Sequence, residues 1–308
     1  MIKIQTKAMA SNISILIADA SESDTEEWQG AEVVSVFRRY EATLSRFKES
    51  SELSEINHDP SHMHRVSRLT FTAIKEAYEG YLETQKIFDP RVFEDLCRLG
   101  YAETFSQVGD EEGAMVPDRR NPLPTWSPEF DARSLSVKVG SHPIDLGGIG
   151  KGLAVRDAAT TLGTYSSAFL IEAGGDCYAK GAPADADEWL IGIENPNGTG
   201  HIAIVAVHDA GCATSSIRLR SWRRGGVPVH HLIDPATGLP GGEGLLSVTV
   251  LHSDPARAEV LSKTLFLSGQ NRINEIAEEE NVAAFWVFDD GSYRFSTQMQ
   301  DQLRWLAS

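Results

Sequence analysis

Cysteine is scarce in this chain: among 308 residues only Cys97, Cys177 and Cys212 are cysteines. Three widely spaced thiols match neither the close spacings of zinc and redox sites nor the even count of a disulfide framework, so a reducing compartment is expected. Basic residues are also in short supply, with 28 Lys and Arg against 44 Asp and Glu and a net charge of −16. That balance argues against nucleic acid and anionic membranes as partners, because both attract cationic surfaces. Its acidic clusters, Glu26-Glu27, Asp110-Glu-Glu112 and Glu278-Glu-Glu280, read as solvated faces. No stretch reaches the roughly 18 apolar residues of a membrane span. The opening Met-Ile-Lys-Ile-Gln-Thr-Lys carries no apolar core of a secretory signal. These absences predict a cytoplasmic protein.

What remains is ordinary globular composition, with 41% hydrophobic and 8% aromatic residues, enough for one large core or two smaller ones. Alternation over Ile2–Ile17 predicts an opening strand or hairpin. Apolar residues at 33, 36, 37, 40, 44 and 47 follow a helical period within Glu26–Phe47. Phe71, Ile74, Ala77, Tyr78, Tyr81 and Leu82 mark a second amphipathic helix. Ser45–Asn57 reads as a polar loop with short turns, and Glu112–Pro128 as a linker or excursion rich in Pro, Asp and Arg. A hairpin is expected from Ser134–Val139 and His142–Ile144, with strands over Ser167–Glu172, Trp189–Ile193, Ile202–Val207, Leu245–Leu251 and 283–288. Asp254-Pro255 opens a helix, as an N-cap followed by Pro at the first helical position. A helix over 271–279 and a short C-terminal helix complete the chain. Strands and helices interleave without strict βαβ alternation, which predicts an α+β fold.

Two distant segments carry the chemistry. Asp145-Leu-Gly-Gly-Ile-Gly-Lys-Gly152 sets four glycines and a lysine ahead of the Ala-rich helical pattern Leu153–Leu162. Glycines at a helix start let backbone N–H groups approach an anion, and the helix dipole favours negative charge there. Lys151 adds a full positive charge. The segment is a phosphate cradle by its chemistry, or else a packing turn with no ligand. Neither common named cradle fits. Asp145 stands where a Walker A loop needs its first Gly, and Gly152 where it needs Ser or Thr. Leu153 occupies the place of the third Gly in the dinucleotide fingerprint. The second segment, His231-Leu-Ile-Asp-Pro-Ala-Thr-Gly238, combines an imidazole and a carboxylate with two turn-forming pairs. It reads as a strand end entering a loop whose side chains converge on whatever the cradle holds. His230 and His231 are adjacent, so on a strand only one of them faces the site.

In their order along the chain, these and other segments resemble the ApbE family, the FAD:protein FMN transferases. The resemblance rests on Ser45-Arg-Phe47, Ser51-Glu-Leu-Ser-Glu-Ile-Asn57, Phe88-Asp-Pro90 and the cradle. It continues through Glu172-Ala-Gly-Gly-Asp176, Trp189-Leu-Ile-Gly-Ile-Glu-Asn-Pro196, Ala213-Thr-Ser215, His231–Gly238 and Ala258-Glu259. It implies a T-fold-related mixed sheet with flanking helices, forming one FAD-binding domain over 1–308, or two subdomains packed around the flavin. Family members cleave the FAD pyrophosphate with Mg²⁺ and pass FMN to a Thr of a target flavoprotein. The resemblance makes His231 a general base or pyrophosphate contact, Lys151 a phosphate ligand, and Asp234 and Asp176 orienting groups. It assigns further FAD contacts to Met9, Phe88, Asp89, Asp145, Gly147, Gly148, Gly150, Glu172, Gly174, Gly175, Thr214, Ser215, Ile233 and Lys263.

The chain departs from the family pattern in the late helix. There the family reads Ala-Asp-x-x-x-Thr, and that Asp and Thr hold the metal. Here the run is Ala258-Glu259-Val-Leu-Ser-Lys263. By position the metal would fall to Glu259 and Gly148. An ammonium at 263 repels a divalent ion and supplies no oxygen. Thr264 lies about 100° further round the helix. Residues 259 and 263 share a helix face and can pair as Glu⁻/Lys⁺; either Lys263 stands in for the cation beside the phosphates, or the two form an ordinary surface pair. Two smaller departures are a missing Trp near Leu99-Gly100-Tyr101 and an Asp displaced by one in Arg156-Asp157. The expected function is an FAD-dependent flavin transferase. The alternatives are a non-catalytic FAD-binding protein and an FAD pyrophosphatase releasing FMN and AMP.

Overall fold

Alternation along Ile2–Ala8 and Ser11–Ile17 produces a β-hairpin at one edge of an eight-stranded sheet. The structure is a computed structural model describing residues 1–19, 26–103, 118, 120–183 and 185–307. From that edge the strand order continues Phe169–Ala173, Asp176–Lys180, Ala210–Ser216, Leu245–His252, Ala283–Phe288 and Tyr293–Phe295. Every described pairing in this sheet is antiparallel, where a mixed sheet was expected. Tight turns such as Gly174-Gly175, both at positive φ, reverse the chain between neighbouring strands.

The two faces of the sheet separate by side-chain alternation. Ala213, Val250, Ala284 and Trp286 face a helical layer, while Cys212, Leu251, Phe285 and Val287 face a second, three-stranded sheet. That smaller sheet comprises Trp189–Glu194, His201–Val207 and Leu303–Leu306. The helical layer contains Glu26–Leu44, Gly150–Leu162 and Pro255–Leu267 side by side. Gly152 sets the closeness of the last two: a Cβ there would stand 2.5 Å from the Pro255 carbonyl oxygen and 2.6 Å from Ala256 Cα. No helix among the described residues is long and apolar enough to cross a membrane.

Local signals explain most element boundaries. Asp254 caps Pro255–Leu267 by accepting the Ala256 N–H at 2.9 Å, with Pro at the helix start. The segment read as a polar loop contains a helix, Glu52–His58, capped by Ser51 through the Ser54 N–H. His142–Ile144 forms no strand; Ser136–Lys138 pairs instead with Glu129–Asp131 and His64–Arg65. Residues 112–117 and 119 of the expected linker, and the Asp110-Glu-Glu112 cluster, lie outside the described residues. The rest of that segment is pinned rather than loose. Trp126 is buried edge-on against Tyr78 and Tyr81, at 5.4 and 5.7 Å between ring centroids, and its Nε1 donates to the Val139 carbonyl at 2.7 Å.

Candidate active site

The glycine segment folds as the sequence suggests, into a turn entering the helix Gly150–Leu162, and it lines a cavity of about 340 Å³. That volume suits a small-molecule site. Of the residues expected to contact ligand, Met9, Phe88, Asp89, Asp145, Gly147, Gly148, Gly150, Lys151, His231, Ile233 and Lys263 line it. The hairpin tip Met9-Ala10, Phe47, Leu96, Tyr101 and Leu232 complete an apolar wall.

Several turn amides are already engaged. The Gly147 N–H donates to Asp145 Oδ1 at 2.7 Å, and the Ile149 and Gly150 N–H groups donate to the Leu146 carbonyl at 3.2 and 2.8 Å. Gly152 N–H donates to Glu259 Oε2 at 2.8 Å. Asp145 also pairs with Arg46, its Oδ2 lying 2.6 Å from Nε, so its carboxylate braces the turn from within.

Behind the cradle lies a buried four-charge cluster. Lys151 Nζ donates to Asp176 Oδ2 and, at 2.9 Å, to Glu259 Oε1. Lys263 Nζ donates to the same Glu259 oxygen at 3.2 Å. Asp176 Oδ1 accepts the Thr214 N–H at 3.3 Å. Burial opposes ionisation of Glu259, yet Lys151, Lys263 and the Gly152 amide together hold its carboxyl down at about 2. Burial dominates at Asp176, which has Lys151 as its direct ammonium partner, and raises its carboxyl. Burial disfavours the Lys151 charge, but Asp176 and Glu259 outweigh it and raise that ammonium. Lys263 is lowered by burial, which its one carboxylate contact and the repelling Lys151 charge leave uncompensated.

His231 and His230 part as expected of adjacent strand residues. His231 lines the cavity, and its Nδ1 lies 3.2 Å from the Arg220 carbonyl. A carbonyl only accepts, so neutral His231 carries its proton on Nδ1 and leaves Nε2 basic. Burial, reinforced by the charges of Arg220 and Lys263, pushes the imidazole well below its ordinary range. His230 packs edge-on against Phe266 and accepts the Leu232 N–H on Nδ1 at 3.3 Å.

Other expected contacts stand elsewhere. Asp234 does not line the cavity; its carboxylate caps its own turn, accepting from the Ala236 N–H at 2.9 Å and Thr237 Oγ1 at 3.0 Å. Glu172 is exposed on its strand. Gly174 and Gly175 form the hairpin tip that lets Asp176 start the next strand, and neither lines the cavity. Thr214 and Ser215 sit behind the cluster, bonded to Thr249 and Ser262 at 2.9 Å each. Asp89 lines the cavity with its carboxylate locked by Arg91, at 2.7 Å.

Arg46 is a lining residue to which the sequence reading gave no role. Its guanidinium lies over Phe47 and Tyr101, 4.1 and 4.6 Å from the ring centroids, and donates to the Tyr101 carbonyl at 2.7 Å. Its buried Nη1 has no protein partner among the described residues. An indole also stands beside Tyr101: Trp222 packs 5.6 Å from that ring and donates to the Leu99 carbonyl at 2.7 Å.

The residues present do not suit a divalent ion. Glu259 already carries two ammoniums and an amide, and the Lys263 stem runs past Gly148, 3.3 and 3.5 Å from where a Cβ there would stand. Among the described residues no group of three or more His, Cys, Asp or Glu could hold a metal.

Comparison with known proteins adds a family. The family model described as "ApbE family" matches residues 9–286. An FAD:protein FMN transferase of Haemophilus influenzae is 26% identical over 302 residues, covering 93% of this chain and 86% of the relative. One from Treponema pallidum is 31% identical over 300 residues, covering 89% and 80%. Among solved structures, the ApbE protein of Thermotoga maritima superposes with a TM-score of 0.86 at 25% identity, covering 99% of both chains. The flavin transferase ApbE of Vibrio cholerae gives 0.80 at 23%, covering 98% of this chain and 99% of that one.

Proposed function

The chain belongs to the ApbE family, and from that premise we propose that it is a flavin transferase moving the FMN half of FAD onto a Thr of a target protein. The observation that carries this reading is the cavity itself. It joins an aromatic wall, Phe47 and Tyr101, to a cationic end holding Lys263, Arg220 and the neutral His231. An isoalloxazine ring suits the first and a pyrophosphate the second. In a protein of net charge −16, Arg220 makes no ion pair among the described residues, which leaves a local positive excess at that end.

In the proposed reaction, the acceptor Thr hydroxyl oxygen forms a bond to the FMN phosphorus as the pyrophosphate P–O bond breaks. AMP departs with the bond electrons, and the hydroxyl proton passes to His231 Nε2. Phosphoryl transfer is mostly positioning and charge neutralisation, so a base and two cations at one end of the cavity supply the main requirements. The same proposal takes the chain as one FAD-binding domain, since the lining runs from Met9 to Leu267, and sets it in the cytoplasm, in keeping with its odd and scattered cysteines. Incubating pure protein with FAD and a Thr-containing acceptor, then analysing nucleotides and intact acceptor mass, tests the reading. AMP appearing in step with an FMN adduct is expected. Free FMN and AMP without adduct would make the chain a pyrophosphatase, and intact FAD a binding protein.

A further inference from the structure

We propose that the Lys263 ammonium is the resident cation of this site and holds the FAD pyrophosphate directly, with no divalent ion. The proposal rests on the flavin-transferase reading. Its first support is that Glu259 already accepts three hydrogen bonds, two of them from ammoniums. Oε1 accepts from Lys151 at 2.9 Å and from Lys263 at 3.2 Å, while Oε2 accepts the Gly152 amide at 2.8 Å. Magnesium sits at about 2.1 Å from its oxygens and needs about six of them. An ion that close to Glu259 Oε1 would lie against two ammoniums. The nearest hydroxyls on the same helix are committed elsewhere: Ser262 to Ser215 and the Glu259 carbonyl, Thr264 to the Val260 carbonyl.

The second support is how the lysine reaches the cradle. A Cβ at Gly148 would stand 3.3 and 3.5 Å from Lys263 Cδ and Cε, and 2.8 Å from the Phe88 ring. The bare glycine lets the lysine stem cross the turn and bring its head to the cavity wall.

The third support is donor accounting. An ammonium has three N–H donors. Lys151 commits two of its donors, to Asp176 and Glu259, whereas Lys263 commits one, to Glu259. Lys263 therefore keeps two donors for phosphate oxygens, and the phosphate contact expected of Lys151 passes to Lys263. Glu259 becomes a positioning residue that aims the ammonium, in place of a metal ligand.

Titration of flavin fluorescence with FAD, and separately with riboflavin, tests this in EDTA and in millimolar Mg²⁺, using the natural protein, Lys263→Met and Lys263→Arg. The expected result is an FAD affinity that changes less than twofold between EDTA and Mg²⁺. Lys263→Met, which retains most of the apolar stem, should weaken FAD at least tenfold while riboflavin stays within twofold, and Lys263→Arg should recover part of the loss. Calorimetry with Mg²⁺ alone should give no binding. The proposal is overturned if Mg²⁺ strengthens FAD binding to the natural protein tenfold, if Mg²⁺ alone binds stoichiometrically, or if Lys263→Met binds FAD unchanged. Failure of the natural protein to bind FAD under either condition would remove the flavin-transferase reading and the proposal with it.

Discussion

Replacing Glu259 with Gln probes the electrostatics of the cluster, because the side chain keeps its shape, loses its charge and exchanges one acceptor oxygen for a donor NH₂. In the natural protein Glu259 is fully buried and neutralises two ammoniums together with Asp176. The variant leaves Lys151 and Lys263 facing one carboxylate. Removing one partner of a buried ion pair typically costs about 3–5 kcal/mol. An upper bound comes from the escape open to Lys263, which can shed its proton; for an amine of ordinary pKa 10.5 that costs about 5 kcal/mol at pH 7. We therefore expect Glu259→Gln to lose about 3–5 kcal/mol in urea unfolding, and Lys263→Met added to it to restore more than about 1 kcal/mol, since the surplus charge is then gone. Acid supplies a second reading. The Glu259 carboxyl is depressed from 4.5 to about 2, so its contribution is complete above pH 4.5 and disappears as pH falls towards 2. The Gln variant should lack that part of the acid sensitivity. A loss below about 1 kcal/mol in Glu259→Gln, or no recovery in the double variant, would refute the reasoning.

Other consequences are more quickly stated. His231→Ala should still bind flavin but lose about 10²–10⁴-fold in transfer rate, measured by single-turnover adduct formation; unchanged turnover would take His231 out of the chemistry. Burial pushes His230 down to about 4 from 6.5, so its neutral form stabilises the fold fully above pH 6.5 and progressively less down to pH 4. His230→Gln should reduce the slope of thermal stability across that window, leaving the part that His231 contributes, and an unchanged slope would show that the ring titrates freely. Gly152→Val would drive its side chain into backbone atoms of Pro255 and Ala256, and should cost about 1–3 kcal/mol or more in urea unfolding. Unaltered stability would mean that the two helices can separate without penalty.

Much of this fold was legible where a single residue type has a strong local effect. Asp254-Pro255 marked a helix start, the glycines marked the cradle turn, and alternation marked the first hairpin. Ala210–Ser216 was missed because Gly, Ala, Thr and Ser give almost no contrast between its faces. Glu52–His58 was missed because its buried side is only Leu53 and Ile56. At the site, the pairing of Glu259 with Lys263 followed from helical spacing and is present. Its joining to Lys151 and Asp176 depends on where two helices and a hairpin meet, and no local pattern encodes that. Asp234 looked like a ligand group because a carboxylate in a loop resembles one; its neighbours Ala236 and Thr237 use it as a turn cap. Arg46 stood inside a quoted motif, yet only packing reveals its stack on Phe47 and Tyr101 and its Nη1, which has no partner among the described residues.

The central claim is that the cavity between Tyr101 and Lys263 is the flavin-nucleotide site, and a crystal structure of the FAD complex tests it most directly. We predict the isoalloxazine against the Phe47–Tyr101 wall, the pyrophosphate within hydrogen-bond reach of Lys263 Nζ, and Glu259 still bonded to both lysines. FAD bound outside this cavity, or a divalent ion held by Glu259 with Lys263 displaced, would contradict it.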